Sequence, residues 1–206
     1  MKYAYYNSCS LRSTGKEYHN SLQYVFKALD IDLEELENWT CCGSTLAHNA
    51  SVLLADTLPL KNLAEVEKTG HSELMVPCTA CYNRFKVAQY EDDKDLRLKQ
   101  EIEEIIEHKF EKDISVLHPL EIIASEENLA KLRNLVKRDL SHLKVASYYG
   151  CLLVRPHKET GFKDNPEYPV TMDKVLNAVG VETFDWSHKV ECCGGSLAIT
   201  KPEAVI

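Results

Sequence analysis

Eight cysteines carry the chemistry in this sequence, and their order says more than their number. Cys9 stands alone; after 31 residues comes the adjacent pair Cys41-Cys42, and after a further 35 comes Cys78-Thr79-Ala80-Cys81. A second series begins with Cys151 and, after 40 residues, reaches Cys192-Cys193. The flanking residues repeat as well. Lys2-Tyr-Ala-Tyr-Tyr-Asn-Ser-Cys9 is echoed by Lys144-Val-Ala-Ser-Tyr-Tyr-Gly-Cys151, and Cys41-Cys42-Gly43-Ser44-Thr45-Leu46-Ala47 by Cys192-Cys193-Gly194-Gly195-Ser196-Leu197-Ala198. One unit is therefore written twice. Thiolates are soft ligands that select zinc, Cu(I) or iron–sulfur clusters over hard cations. Tetrahedral zinc takes four ligands, whereas the first series offers five sulfurs. Adjacent side chains such as Cys41 and Cys42 do not reach one small ion without strain, but an extended cluster presents separate irons to them. Taken singly, a cysteine pair reads as core packing and Cys-x-x-Cys as a zinc knuckle or redox dithiol. Together, in repeated order, they point to a cluster site.

Other residues near the cysteines are weaker candidates. His48 and His188 lie close to the pairs and are placed to donate protons or to hydrogen-bond cluster sulfides, although such histidines are more often satisfied surface residues. Asn83 and Arg84 follow Cys81 and are candidates for orienting an anionic substrate group, with a solvated arginine as the plainer alternative.

Short strands are expected to deliver these cysteines. Lys2 to Tyr6 reads as a strand running into the loop that holds Cys9, and Glu17 to Leu29 as a helix with Leu22, Val25, Phe26 and Leu29 on one face. Asp32 to Asn38 is an acidic stretch with no element assigned. Ala50 to Glu67 reads as a helix kinked or divided at Pro59, and Leu74 to Val76 as a buried strand leading to Cys78. Glu91 to Lys112 reads as an amphipathic surface helix and Ile114 to His118 as a strand. Pro119 opens another helix, and a further one with Leu129, Leu132, Leu135 and Val136 on its buried side reaches Ser141. The second copy supplies a strand at Lys144 to Tyr149, a turn-rich insertion at His157 to Pro169, a helix at Val170 to Ala178 and the aromatic segment Phe184-Asp185-Trp186. This alternation predicts an α/β fold with small parallel sheets, Cys9 and the Cys-x-x-Cys lying at strand carboxyl ends where such sheets open ligand crevices.

Composition narrows the function. A chain of 206 residues holds at most two domains, and 44% hydrophobic with 27% charged residues allows a true core under a solvated surface. The balance of 24 Lys and Arg against 32 Asp and Glu gives a net charge of −8 with no basic stripe, which argues against nucleic acid as a partner. With no apolar run of about 18 residues, direct membrane insertion is not expected. The expected compartment is the cytoplasm, where cysteines serve metal or redox chemistry more often than structural disulfides.

The five-cysteine signature resembles the CCG domain, the cysteine-rich module that occurs twice in the catalytic B chain of heterodisulfide reductase. The likeness spans essentially the whole chain and extends to the start MKYAYYNSC, to VPCTACYNR around Cys78 and to VLHPLE at Val116 to Glu121. It implies two copies of a CCG α/β unit, expected at 1–143 and 144–206. It also implies a noncubane [4Fe–4S] cluster on Cys9, Cys41, Cys42, Cys78 and Cys81, and a second, incomplete site on Cys151, Cys192 and Cys193. By the spacing of the first copy, the second Cys-x-x-Cys belongs near positions ~229 to 232, so the chain is expected to be truncated before it. In the family a disulfide is cleaved between the two clusters, in methanogens the coenzyme M–coenzyme B heterodisulfide, and both Cys-Cys-Gly turns are expected to face a common crevice. Implied partners are the ferredoxin-like and the flavin-containing components of a heterodisulfide reductase-like complex, together with a small disulfide substrate. Two alternatives stand beside this: an electron-transfer component of a glycolate, lactate or quinone-linked dehydrogenase complex, and a zinc-binding assembly module without redox turnover.

Overall fold

The computed structural model describes residues 1–44, 47–198 and 201–205. The chain divides into two compact units, Met1–Ile122 and Ile123–Ile206.

The first unit alternates strands and helices: β1 Lys2–Tyr5, α1 Lys16–Ala28, β2 Asp32–Glu35, α2 Ala47–Ala50, α3 Val52–Lys68, β3 Glu73–Met75, α4 Thr79–Asp92, α5 Leu96–Ile106, β4 Ser115–Leu117 and α6 Pro119–Ile123. Its four strands form one parallel sheet in the order β2-β1-β3-β4. The chain goes from β1 to β2 on one side and returns to place β3 on the other. The carboxyl ends of β1 and β3 therefore flank the switch point where open α/β sheets hold ligands. Tyr3, Ala4 and Tyr5 of the interior strand are buried, as are Leu74 and Met75 of β3. β2 is an edge strand, and its charged residues pair outward: Lys2 with Glu34, and Arg12 with Glu35. Such an edge discourages pairing with a further strand.

α3 runs unbroken through Pro59. Proline has no N–H to give to the carbonyl four residues earlier, that of Ala55. Arg84 of α4 fills the gap, donating to Ala55 O at 3.2 Å and to Asp56 Oδ1 at 3.0 Å. The expected division at Pro59 does not occur, and a side chain from the neighbouring helix takes up the carbonyl that the proline leaves without a partner.

The second unit contains α7 Glu126–Leu135, β5 Lys144–Ala146, α8 His157–Thr160, α9 Thr171–Ala178 and β6 Glu182–Phe184, followed by 3-10 turns at Gly195–Leu197 and Pro202–Ala204. β5 and β6 are parallel, Lys144 opposite Glu182 as Lys2 is opposite Asp32. α7 packs on α9, so the division at 122/123 puts this helix with the second unit, whereas the sequence repeat alone suggests a division at 143/144. Leu153, Val154 and Phe162 form the buried centre.

Candidate metal centre

Each cysteine group of the first unit follows a strand. Cys9 lies in the loop after β1, Cys41 and Cys42 beyond β2, and Cys78 beyond β3 as the residue preceding α4. These strands are neighbours in the sheet. The sulfurs of Cys42 and Cys81 lie 3.0 Å apart, both residues buried and both thiols free. Cys81 also hydrogen-bonds Cys78. Cys9 lies within electrostatic reach of Cys41, Cys42 and Cys78, though withdrawal from solvent is the main reason its thiol is raised above the ordinary value.

The surroundings favour thiolates at two of these positions. Cys78 is held down to about 5, first by the Cys81 thiol and then by the N–H groups of Cys81 and Ala80 at the start of α4 and the Ser10 hydroxyl. A helix N-terminus lowers a cysteine in this way. Cys42 is lowered to about 7 by the Cys81 hydrogen bond, helped by the backbone and side chain of Ser44 and opposed by burial. Cys81, in contact with both Cys42 and Cys78 and withdrawn from solvent, is pushed up.

The Cys-Cys-Gly turn has the same form in both units. Gly43 and Gly194 both sit at φ +75°, a region glycine enters without a Cβ penalty. The Gly43 N–H points at Cys41 Sγ at 3.4 Å, and the Gly194 N–H at Cys192 Sγ at 3.4 Å. A buried tyrosine supports the turn of the first unit: the Tyr6 hydroxyl donates to Thr40 O at 2.6 Å, just ahead of Cys41. In the second unit Tyr148 donates to Glu191 O at 2.7 Å, just ahead of Cys192. Tyr6 stands within reach of Cys42, Cys81, Cys41 and Cys9, and burial followed by those cysteines suppresses its ionisation. For Tyr148, burial and then Cys193, Cys151 and Cys192 act in the same direction. These tyrosines were missed in the sequence, although the repeated Tyr-Tyr ahead of each lone cysteine contains them.

The second unit groups its cysteines more openly. Cys151 hydrogen-bonds Cys192 and is raised, chiefly by burial. Cys192 and Cys193 are exposed. Among the other candidates, His188 pairs with Glu191 at 2.8 Å on the surface. Arg84 is turned to Ala55 and Asp56 rather than to solvent or a substrate, and Asn83 is buried. The side chain of His48, with Thr45, Leu46 and Ile199, lies outside the described residues.

Among the described residues, no group of three or more His, Cys, Asp or Glu is set to hold a single metal ion. Two observations fit a larger sulfur-rich group. Asn7 Oδ1 and Thr40 Oγ1 are buried without hydrogen-bond partners, and they lie two residues before Cys9 and immediately before Cys41. An orphaned buried polar atom is costly unless something fills the space beside it.

Comparison with known proteins gives the same direction. The cysteine-rich domain family matches residues 3–86 and 145–205. The chain is 28% identical to the 8-methylmenaquinol:fumarate reductase membrane anchor subunit of Wolinella succinogenes, over 94% of this chain and 67% of that protein. It is 27% identical to a protein of Archaeoglobus profundus that is like the B chain of heterodisulfide reductase, over 98% and 70%. It is 30% identical to the B chain of the ferredoxin:CoB-CoM heterodisulfide reductase of Methanosarcina mazei, over 81% and 56%. No described helix is long and apolar enough to cross a membrane.

Proposed function

Because the chain belongs to the cysteine-rich CCG domain family, we propose that it is the iron–sulfur subunit of a heterodisulfide reductase-like complex. The reaction is reduction of a small disulfide, RSSR′ + 2e⁻ + 2H⁺ → RSH + R′SH. The observation that carries this reading is the delivery of Cys9, Cys41, Cys42, Cys78 and Cys81 from the carboxyl ends of three adjacent parallel strands. Those five would hold a noncubane [4Fe–4S] cluster, with Cys151, Cys192 and Cys193 contributing to a second. Each such cluster would supply one electron; because cleavage of the disulfide takes two, a pair of clusters would avoid the thiyl radical that a single electron would release. In the free chain Cys42 and Cys78 are drawn towards the thiolate form first by Cys81 and then by Ser44, Ser10 and the start of α4. Electrons would come from ferredoxin-like and flavin-containing partner proteins, in the cytoplasm.

A second reading, electron transfer towards a quinone-linked reductase, draws support from the similarity to the fumarate reductase membrane anchor. Purification without oxygen, iron analysis and paramagnetic resonance test the cluster, and a reduced-viologen assay with disulfides tests the reaction. Iron with disulfide turnover supports the first reading, and iron without turnover but with quinone-coupled oxidation supports the second. A colourless protein carrying one tetrahedral zinc would overturn both.

A further inference from the structure

The carbonyl just ahead of each Cys-Cys pair is held by a tyrosine, and the two cases arise from corresponding positions of the repeat. Tyr6 lies three residues before Cys9, and Tyr148 three before Cys151. Their acceptors, Thr40 O and Glu191 O, immediately precede Cys41 and Cys192. A peptide is planar and trans, so fixing the carbonyl fixes the N–H of the following cysteine on the opposite side and with it the direction in which the turn leaves. Two residues further on, the Gly43 and Gly194 N–H groups reach the first sulfur of each pair at the same 3.4 Å. A tryptophan ring lies near each tyrosine, and the two hydrogen bonds recur together.

We propose that Tyr6 and Tyr148 are positioning residues: each hydroxyl sets the peptide entering its Cys-Cys-Gly turn so that the glycine N–H is aimed at the first cysteine sulfur. A donor on a cluster-ligating sulfur stabilises its negative charge and so tunes the group it holds. The chemical consequence rests on the cluster reading above, whereas the geometry does not.

The two units differ in how firmly the device is built. Tyr6 has no exposed surface, and its ring is held edge-on by Trp39 at 5.5 Å and Phe85 at 5.0 Å. The same Thr40 residue is gripped from its other side, its N–H donating to Asn62 Oδ1 at 2.7 Å. The Cys-x-x-Cys follows a similar scheme, His118 Nε2 meeting the carbonyl of Pro77 at 3.1 Å just ahead of Cys78. Tyr148 is 43% exposed, so water can take the place of its hydroxyl at Glu191. Loss of the hydroxyl is therefore felt more in the first unit than in the second.

Two measurements on the full chain test this. In the cluster-free protein, hydrogen exchange of the Gly43 amide should be about tenfold faster in Tyr6→Phe than in the unaltered chain, with Gly194 unchanged. Tyr148→Phe should speed Gly194 by a smaller factor and leave Gly43 alone. In protein loaded without oxygen, Tyr6→Phe should shift the resonance signal and midpoint potential of the first centre at unchanged iron content, and Tyr148→Phe those of the second. If Gly43 exchange is unaltered by Tyr6→Phe, or if either variant perturbs both glycines equally, the positioning role is wrong. If the amides respond as stated but the chain takes up no iron, the positioning role stands and the cluster reading falls.

Discussion

Gly43 is the residue least open to change in the first cysteine site. Its φ of +75° already disfavours a side chain, and an added Cβ would lie 2.7 Å from Ala47 Cβ and 2.9 Å from Leu58 Cδ1. Gly70 has a similar φ of +80° with nothing within 4 Å. Gly70→Ala should therefore cost about 1 kcal/mol, the backbone penalty alone, and Gly43→Ala about 3 kcal/mol with loss of the turn. Denaturant midpoints at constant slope check the difference, and equal losses would show that the close contacts relax freely. His118 gives a pH-dependent counterpart. It is buried beside the edge of the Tyr82 ring, its backbone N–H on Glu121, its Nδ1 accepting from Leu120 N at 3.3 Å and its Nε2 facing Pro77 O. Burial holds its pKa down to about 4 from 6.5. Because the folded state prefers the neutral ring, the unfolded chain binds more protons between those values. Stability from this residue is complete above pH 6.5 and falls by about 3 kcal/mol as pH drops through the window towards 4. His118→Gln should flatten the stability profile in that window; profiles of identical slope would contradict the assignment.

The elements show what could be read in advance. The buried, β-prone residues of β1, β3 and β4 and the one-sided pattern of α1 were legible. β2 was not, because Asp32, Leu33, Glu34 and Glu35 carry the charges of an exposed edge instead of a core strand. α4 was also missed: Cys81, Tyr82, Phe85 and Val87 are buried on different sides of it, and a helix enclosed around much of its circumference loses the periodic signal. The expected helix to Ser141 ends earlier, at Leu135, where Val136 turns extended. Among the cysteine-bearing segments, sequence order indicated which residues belong together, but not the hydroxyls that steady them. The α3–α4 contact offers a direct energetic test. Burial, followed by Glu91, pushes Asp56 up to about 7 against the pull of Arg84, so Arg84→Ala leaves both a buried carboxyl and the Ala55 carbonyl without their cation. The loss should be about 3 kcal/mol. In a Pro59→Ala background the helix regains the missing N–H, and the cost of removing Arg84 should shrink by about 1 kcal/mol. A double-mutant cycle with no coupling would mean that Arg84 does not serve the proline gap.

At the scale of the whole molecule, the two units repeat one plan with unequal protection. Cys42 and Cys81 are buried in the first, while Cys192 and Cys193 are exposed in the second. In the cluster-free chain, alkylation should reach Cys9, Cys41, Cys192 and Cys193 first and Cys42 and Cys81 only on unfolding, as peptide mass analysis would show. Early modification of Cys42 would contradict the buried pair. Loaded protein exposed to oxygen or a chelator should lose iron from the second unit ahead of the first. The sequence already made the second site the poorer one, with three cysteines against five, and the difference in burial adds to that inequality. The duplication also has an optical side. The chain has two tryptophans, one per unit, and each is half-buried beside the tyrosine that holds its turn, Trp39 at 5.5 Å from Tyr6 and Trp186 at 6.2 Å from Tyr148. A strongly absorbing group among the cysteines would drain the emission of its own neighbour by energy transfer. Trp39→Phe would leave Trp186 as the one tryptophan, beside the second turn, and Trp186→Phe would leave Trp39, beside the first, so the emission of each variant would read the surroundings of one turn.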